Sequence, residues 1–195
     1  MNKTQDRKTK HFDEFLNVNG ELLRINSGHN KGVYTEIIKR FVYQLDIALS
    51  IHRRLLVHRV DLHTTYYSPN NKIISRFMNR AKQWIKRNYG IDSIGYIWAR
   101  EQERAKHQHY HLALFVDANK VRHPAKLIST CEGLAKAWEL FLFTPKNCYY
   151  LINRNDSKAY FRAFFRLSYL SKERGKGYKA KAANDYSASR IKQRL

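Results

Sequence analysis

Two hydrophobic periods alternate along the chain from Tyr34 onward. Ile37, Ile38, Phe41, Val42, Leu45, Ala48 and Leu49 recur at intervals of three and four, the spacing of an amphipathic helix. From Leu56 to Tyr66 the period drops to two. Val60, Leu62 and Thr64 then share one face of a strand, and Arg59, Asp61, His63 and Thr65 the other. Ser68-Pro69-Asn70 signals a helix start, and Ile73, Ile74, Phe77, Met78, Ala81, Trp84 and Ile85 mark a second helix that Gly90 closes. Residues 94–103 and 107–116 read as two strands joined by a short turn around Arg104-Ala105-Lys106, a β-hairpin. Pro124 opens a third helix, with Leu127, Ile128, Cys131, Leu134, Ala135, Trp138, Phe141 and Leu142 expected to face inward. Cys148-Tyr149-Tyr150-Leu151-Ile152 reads as a short last strand, and Asp156 or Ser157 caps a last helix carrying Phe161, Phe164, Phe165 and Tyr169.

The predicted order is β-α-β-β-α-β followed by a helix. It implies an α+β fold of the split βαββαβ (ferredoxin- or RRM-like) type: an antiparallel sheet with its crossover helices on one face and the other face free for chemistry. Residues 33–172 make up this domain. Residues 1–32 are polar, with a short apolar patch at Phe12, Phe15 and Leu16, and read as a loosely ordered extension. Residues 173–195 read as a basic, flexible tail.

Charge narrows the partner. Thirty-seven Lys and Arg against sixteen Asp and Glu leave a formal charge of +21, spread over the chain with aromatics between. A polyanion, most simply a nucleic acid, is the expected partner, with Arg59, Arg100, Lys176 and Lys179 as candidate phosphate contacts. Tyr66, Tyr67, Tyr96 and Trp98 are candidates for stacking on unpaired bases. Cys131 and Cys148 make neither a disulfide framework nor a CxxC zinc site, so a reducing, cytoplasmic setting is expected. The first residues lack the apolar core of a signal peptide, and nowhere do eighteen apolar residues run together, so no membrane association is expected.

Candidate chemistry lies in two places. In His109-Tyr110-His111 the two imidazoles project from one face of a strand and can share a metal ion. If the hairpin turns at Ala105, Glu101 lies opposite His109, and Glu103, opposite His107, is the alternative ligand. Two imidazoles and a carboxylate suit a divalent ion, Mn²⁺ or Mg²⁺, with positions left open for water and a phosphate oxygen. Asp61 and His63 are placed to orient a metal ligand or to contact DNA. Downstream, Tyr169-Leu170-Ser171-Lys172 puts a phenol and an amine one helical turn apart. A phenol with a pKa of about 10 is a poor nucleophile unless a cation stabilises the phenolate. Each motif alone also fits a bland reading, surface histidines or a buried helix tyrosine, but together they suggest DNA cleavage by a tyrosine.

Those motifs, in that order, resemble the HUH endonucleases, specifically the rolling-circle replication initiators. Arg59-Val60-Asp61-Leu62-His63, Trp98-Ala99-Arg100-Glu101 and Ser168-Tyr169-Leu170-Ser171-Lys172 resemble the inovirus gene-two-type replication proteins of filamentous phages and bacterial prophages. The resemblance runs from about Tyr34 to Lys172. It implies a metal-dependent, site-specific single-strand DNA endonuclease and ligase of a bacterial host's cytoplasm, acting at a replication origin. Tyr169 would be the nucleophile, forming a 5′-phosphotyrosyl intermediate, and Lys172 its helper. With Phe165 four positions before Tyr169 the chain resembles the one-tyrosine members, and with no GxxxxGK[ST] loop it would borrow polymerase and helicase from the host. A single-tyrosine transposase, or a non-catalytic nucleic-acid-binding module or repressor on the same scaffold, are the alternatives.

Overall fold

A computed structural model describes residues 9–28, 31–102 and 107–192. In chain order the elements are β1 (Lys10–His11), β2 (Phe15–Val18), β3 (Glu21–Arg24), β4 (Val33–Tyr34), α1 (Thr35–Ile51), β5 (Arg54–Thr64), α2 (Lys72–Tyr89), β6 (Gly95–Glu101) and β7 (His109–Asp117). There follow α3 (Ala125–Lys136), β8 (Leu140–Phe143), β9 (Tyr149–Asn153), α4 (Ser157–Ser168), a 3₁₀ turn (Tyr169–Ser171) and β10 (Tyr186–Ala188). No described helix is long and apolar enough to cross a membrane.

The main sheet is antiparallel throughout, in the order β10-β6-β7-β5, with β8 and β9 both on the outer side of β5. From β5 to β9 this is the expected split βαββαβ arrangement, with α2 and α3 as crossovers. Alternation along the strands sorts the two faces. Val60, Leu62, Trp98, Tyr110, Leu112 and Leu114 pack on Ile74, Phe77 and Met78 of α2 and on Cys131 of α3. Leu55, Val57, Ile97, Ala113 and Phe115 take the opposite face, packed on Ile37, Phe41 and Leu45 of α1 and Phe164 of α4. Each such apolar side chain contributes about 1.5–3 kcal/mol on full burial. The second face is therefore not free along its length: α1 and α4 cover one half, and the chemistry is confined to the other.

Three segments differ from the sequence-based expectation. The third helix stops at Lys136 instead of running to Leu142; Glu139 turns the chain at φ 56°, and Leu140–Phe143 forms an edge strand. A period of two fits this segment as well as a period of three or four, and hydrogen bonding to the open edge of β5 selects the strand. The last strand is thus split, with Pro145, which cannot donate to a ladder, in the gap between β8 and β9.

Residues 15–24, expected to be loose, form a hairpin turning on Asn19 and Gly20 (φ 54° and 89°), the left-handed pair that a two-residue type I′ turn demands. Its Leu16, Val18 and Leu23, with Ile25, complete the core under α1 and α4. The tail is likewise anchored over its described part: β10 pairs with β6, and Lys176, Ala183, Asp185 and Ser189 are buried.

His58 on β5 is fully buried, with Nδ1 3.3 Å from the Cys148 carbonyl oxygen. Burial pulls its pKa down to about 4, against the opposing effect of that carbonyl. The unfolded chain protonates this ring near pH 6.5 and the folded chain does not, so stability is full above 6.5 and falls toward pH 4. Urea unfolding at pH 7.5 and 4.5 is expected to give a His58→Gln protein that loses about 2–3 kcal/mol less than the parent over that interval. Equal losses would mean that His58 is not the group responsible.

Candidate metal and tyrosine site

The observed register pairs Glu101 with His109 and Ala99 with His111 across the β6–β7 hairpin, and pairs His111 with Asp61 and His109 with His63 across β7 and β5. Pairing of this kind puts all five polar side chains on one face, at the sheet end that α1 and α4 leave uncovered. One ligand atom from each of Glu101, His109 and His111 lies within 4.8 Å of the others. Glu101 Oε2 is 3.2 Å from His111 Nε2 and 3.6 Å from His109 Nε2. Two imidazole nitrogens and one carboxylate oxygen suit a divalent ion. Glu103, the alternative ligand, lies outside the described residues, and His107 is half-buried beyond the strand.

Asp61 fixes the inner histidine. Its Oδ1 is 2.8 Å from His111 Nδ1, and its two oxygens also accept from Arg59 Nε and Nη2 at 3.2 Å. Arg59 Nη2, 3.3 Å from Nδ1, is a donor like the ring N–H, so Asp61 is the acceptor both share. That assigns the proton to Nδ1 and turns Nε2 toward Glu101, the carboxylate–histidine arrangement that orients metal ligands. Burial alone would lower the His111 pKa, but the hydrogen bonds to Asp61 and Glu101 outweigh it and hold it raised. Burial would likewise raise the Glu101 carboxyl, yet His109, His111 and Lys176 hold it well below the usual carboxylate range. His63 is exposed, its ring stacked on His109 at 5.2 Å and 10°.

Tyr169 closes the site from above. The last helix ends at Ser168 and Tyr169 opens the 3₁₀ turn, so Tyr169 and Lys172 are not successive positions of one α-helix as expected. The turn is held by Ser168, whose Oγ accepts from Asn26 N–H at 2.8 Å, and by Val33, which bridges to Lys172. The half-buried Tyr169 ring meets the His111 ring edge-on at 5.2 Å. Arg59 and Lys172 lie over it, with the guanidinium carbon 4.5 Å and Nζ 4.1 Å from the centroid. Burial raises the phenol pKa and the Glu101 charge adds to that, while Arg59 pulls it back. Burial and the neighbouring Lys31 lower the Lys172 pKa.

Three of the candidate phosphate contacts, Arg100, Lys176 and Lys179, make hydrogen bonds within the protein. Arg100 is 2 % exposed on the α2 face and donates to the carbonyl oxygens of Ser68 and Asn70, tying down the loop before α2. The Lys176 side chain is wholly buried: Nζ donates to Glu101 Oε1 at 2.7 Å and to the Lys172 carbonyl at 2.6 Å. It neutralises Glu101 and leaves Oε2 turned toward the histidines. Gly175 lets the chain cross here, since at φ 79° an added Cβ would stand 3.1 Å from Glu101 Cβ. Nothing in the sequence spacing signals this Lys176–Glu101 pair, 75 positions apart. Lys179 is half-buried and donates to the Ala183 carbonyl at 2.6 Å. Among the stacking candidates Trp98 is buried against Tyr110 and Tyr96 is half-buried, whereas Tyr66 and Tyr67 are exposed where β5 runs out.

No curated protein and no solved structure matches the chain. A family model does match, over residues 20–185, a span that runs from the turn before β3 through the whole split βαββαβ sheet and takes in every site residue described above. The chain belongs to the YagK/YfjJ C-terminal domain family.

Proposed function

We propose that this chain is an HUH-type, metal-dependent endonuclease and ligase for single-stranded DNA, initiating rolling-circle replication of a phage or prophage. The observation that carries the reading is the edge-on contact of Tyr169 with His111, itself part of a Glu/His/His group with metal-ligand spacing. Glu101, His109 and His111 would hold Mn²⁺ or Mg²⁺, which supplies a Lewis acid for a non-bridging phosphate oxygen. Tyr169 Oη attacks the phosphorus in line. The bond to the 3′ oxygen breaks, the phosphate stays on the tyrosine as a 5′-phosphotyrosyl ester, and the departing oxygen takes a proton to become the 3′-hydroxyl that a host polymerase extends. Arg59 and Lys172 favour charge on the phenol as its proton leaves, and Asp61 keeps Nε2 of His111 facing the ligand position. Reversal reseals the strand without a nucleotide cofactor.

A non-catalytic nucleic-acid-binding module is the second reading, favoured by one observation: Lys176 and Arg59 already satisfy Glu101 and Asp61 without an ion. Incubation with a labelled single-stranded origin fragment and Mn²⁺ separates the two. An SDS-resistant protein–DNA adduct that EDTA prevents is the expected result. Tight binding without any adduct would favour the module.

A further inference from the structure

The cross-strand register carries the row Glu101, His109, His63 one strand further, to Phe141, and sets Phe143 beside Asp61 in the next row. Phe141 and Phe143 therefore lie on the site's own face of the sheet, while their neighbours Leu140 and Leu142 face the core with α2 and α3. Both rings are open to solvent, at 68 % and 56 % exposure. Strands lie about 4.8 Å apart, so Phe141 stands roughly 10 Å from the His109 strand, with the exposed His63 ring between them. At the histidines themselves the charge is positive: Arg59 and Lys172 lie over the Tyr169 ring, which rests on His111.

We propose that Phe141 and Phe143 form a stacking platform for unpaired nucleobases next to the scissile phosphate. This inference rests on the proposed single-stranded DNA substrate. The surface suits that occupant because its two sides differ as a nucleotide's do: cations around Tyr169 for phosphate, flat apolar rings at the sheet edge for bases. A second copy of the chain is a poorer fit, since two molecules of formal charge +21 repel. Stacking tolerates any base, so the platform holds the strand in place without selecting its sequence.

The test measures anisotropy of a labelled oligothymidine, and of an abasic oligonucleotide of equal length, in EDTA at fixed salt. Phe141→Ala and Phe143→Ala are each expected to weaken oligothymidine binding by about five- to 150-fold and to leave the abasic strand unaffected. Phe141→Trp should keep the affinity and Phe141→Leu should not, which separates a π-face from mere apolar contact. Equal losses on both strands, or no loss on either, would overturn the platform. So would sedimentation showing a dimer that the double alanine variant dissociates, because the rings would then cover a second copy. No metal is present, so the outcome is independent of cleavage: base-dependent binding without any Tyr169 adduct would leave the platform and remove the nickase, and the converse would remove only the platform.

Discussion

A Tyr169→Phe protein is expected to form no covalent DNA adduct under conditions where the parent forms one readily, while folding and binding DNA as before. The substitution removes one oxygen and keeps the ring, with its contacts to His111, Arg59 and Lys172. Unfolding free energy should therefore move by no more than about 0.5 kcal/mol. The chemistry loses its only attacking atom, so the loss is complete rather than graded. Peptide mapping of the trapped parent adduct should find the 5′-phosphate on the peptide containing Tyr169. An undiminished adduct in the variant, or one mapped to Tyr160, Tyr178 or Tyr186, would move the nucleophile elsewhere. Lys172→Ala should instead slow cleavage, by about 10²–10⁴, since a cation over the ring assists without being consumed.

Removing either histidine is expected to abolish metal-dependent nicking, but at different structural cost. His109 is at the rim, its side chain 24 % exposed, and His109→Ala should cost about 1 kcal/mol or less of stability. His111 is sandwiched between the buried Asp61 and Glu101 carboxylates, and His111→Ala leaves both buried charges without the imidazole that bridges them, a loss of about 3–5 kcal/mol. Binding to single-stranded DNA should survive in His109→Ala because it draws on many basic residues, each phosphate contact adding about 0.7 to the salt slope. Calorimetric Mn²⁺ titration, nicking assays and urea unfolding on the two variants check this together. Normal nicking by either variant in Mn²⁺ would show that the histidines hold no catalytic ion.

The sheet around the histidines was legible because its determinants are local. The turn expected around Ala105 lies outside the described residues, but a strict period of two on both strands fixes which residue faces which, and Glu101 is found opposite His109 as counted. The same parity shows why Arg100 was misassigned: one position from Glu101 on a strand, it must point to the opposite face, whatever its charge suggests. Leu140–Phe143 fits a helix as well as a strand, because four consecutive apolar residues satisfy either period until a partner strand decides. Asn19-Gly20 carried a turn signal, but each of its flanking strands has only four residues, too few to stand out by alternation. Lys176 was illegible for a different reason. Its partner is set by how the chain after the last helix folds back over the sheet, and no spacing rule reaches that far.

That fold-back also sets an order of events during synthesis. Glu101 leaves the ribosome 75 residues ahead of the ammonium that neutralises it, and the open edge of β6 waits longer still for β10. At about 5–20 residues per second, a nascent chain carries a Glu101 carboxylate without its ammonium, and a bare strand edge, for about one to seven seconds after the last strand of the βαββαβ sheet is made. The polar centre is thus finished from its C-terminal side, and a chain synthesised beyond Asn153 but not yet to Lys176 has the strands of the sheet without the completed Glu101 environment.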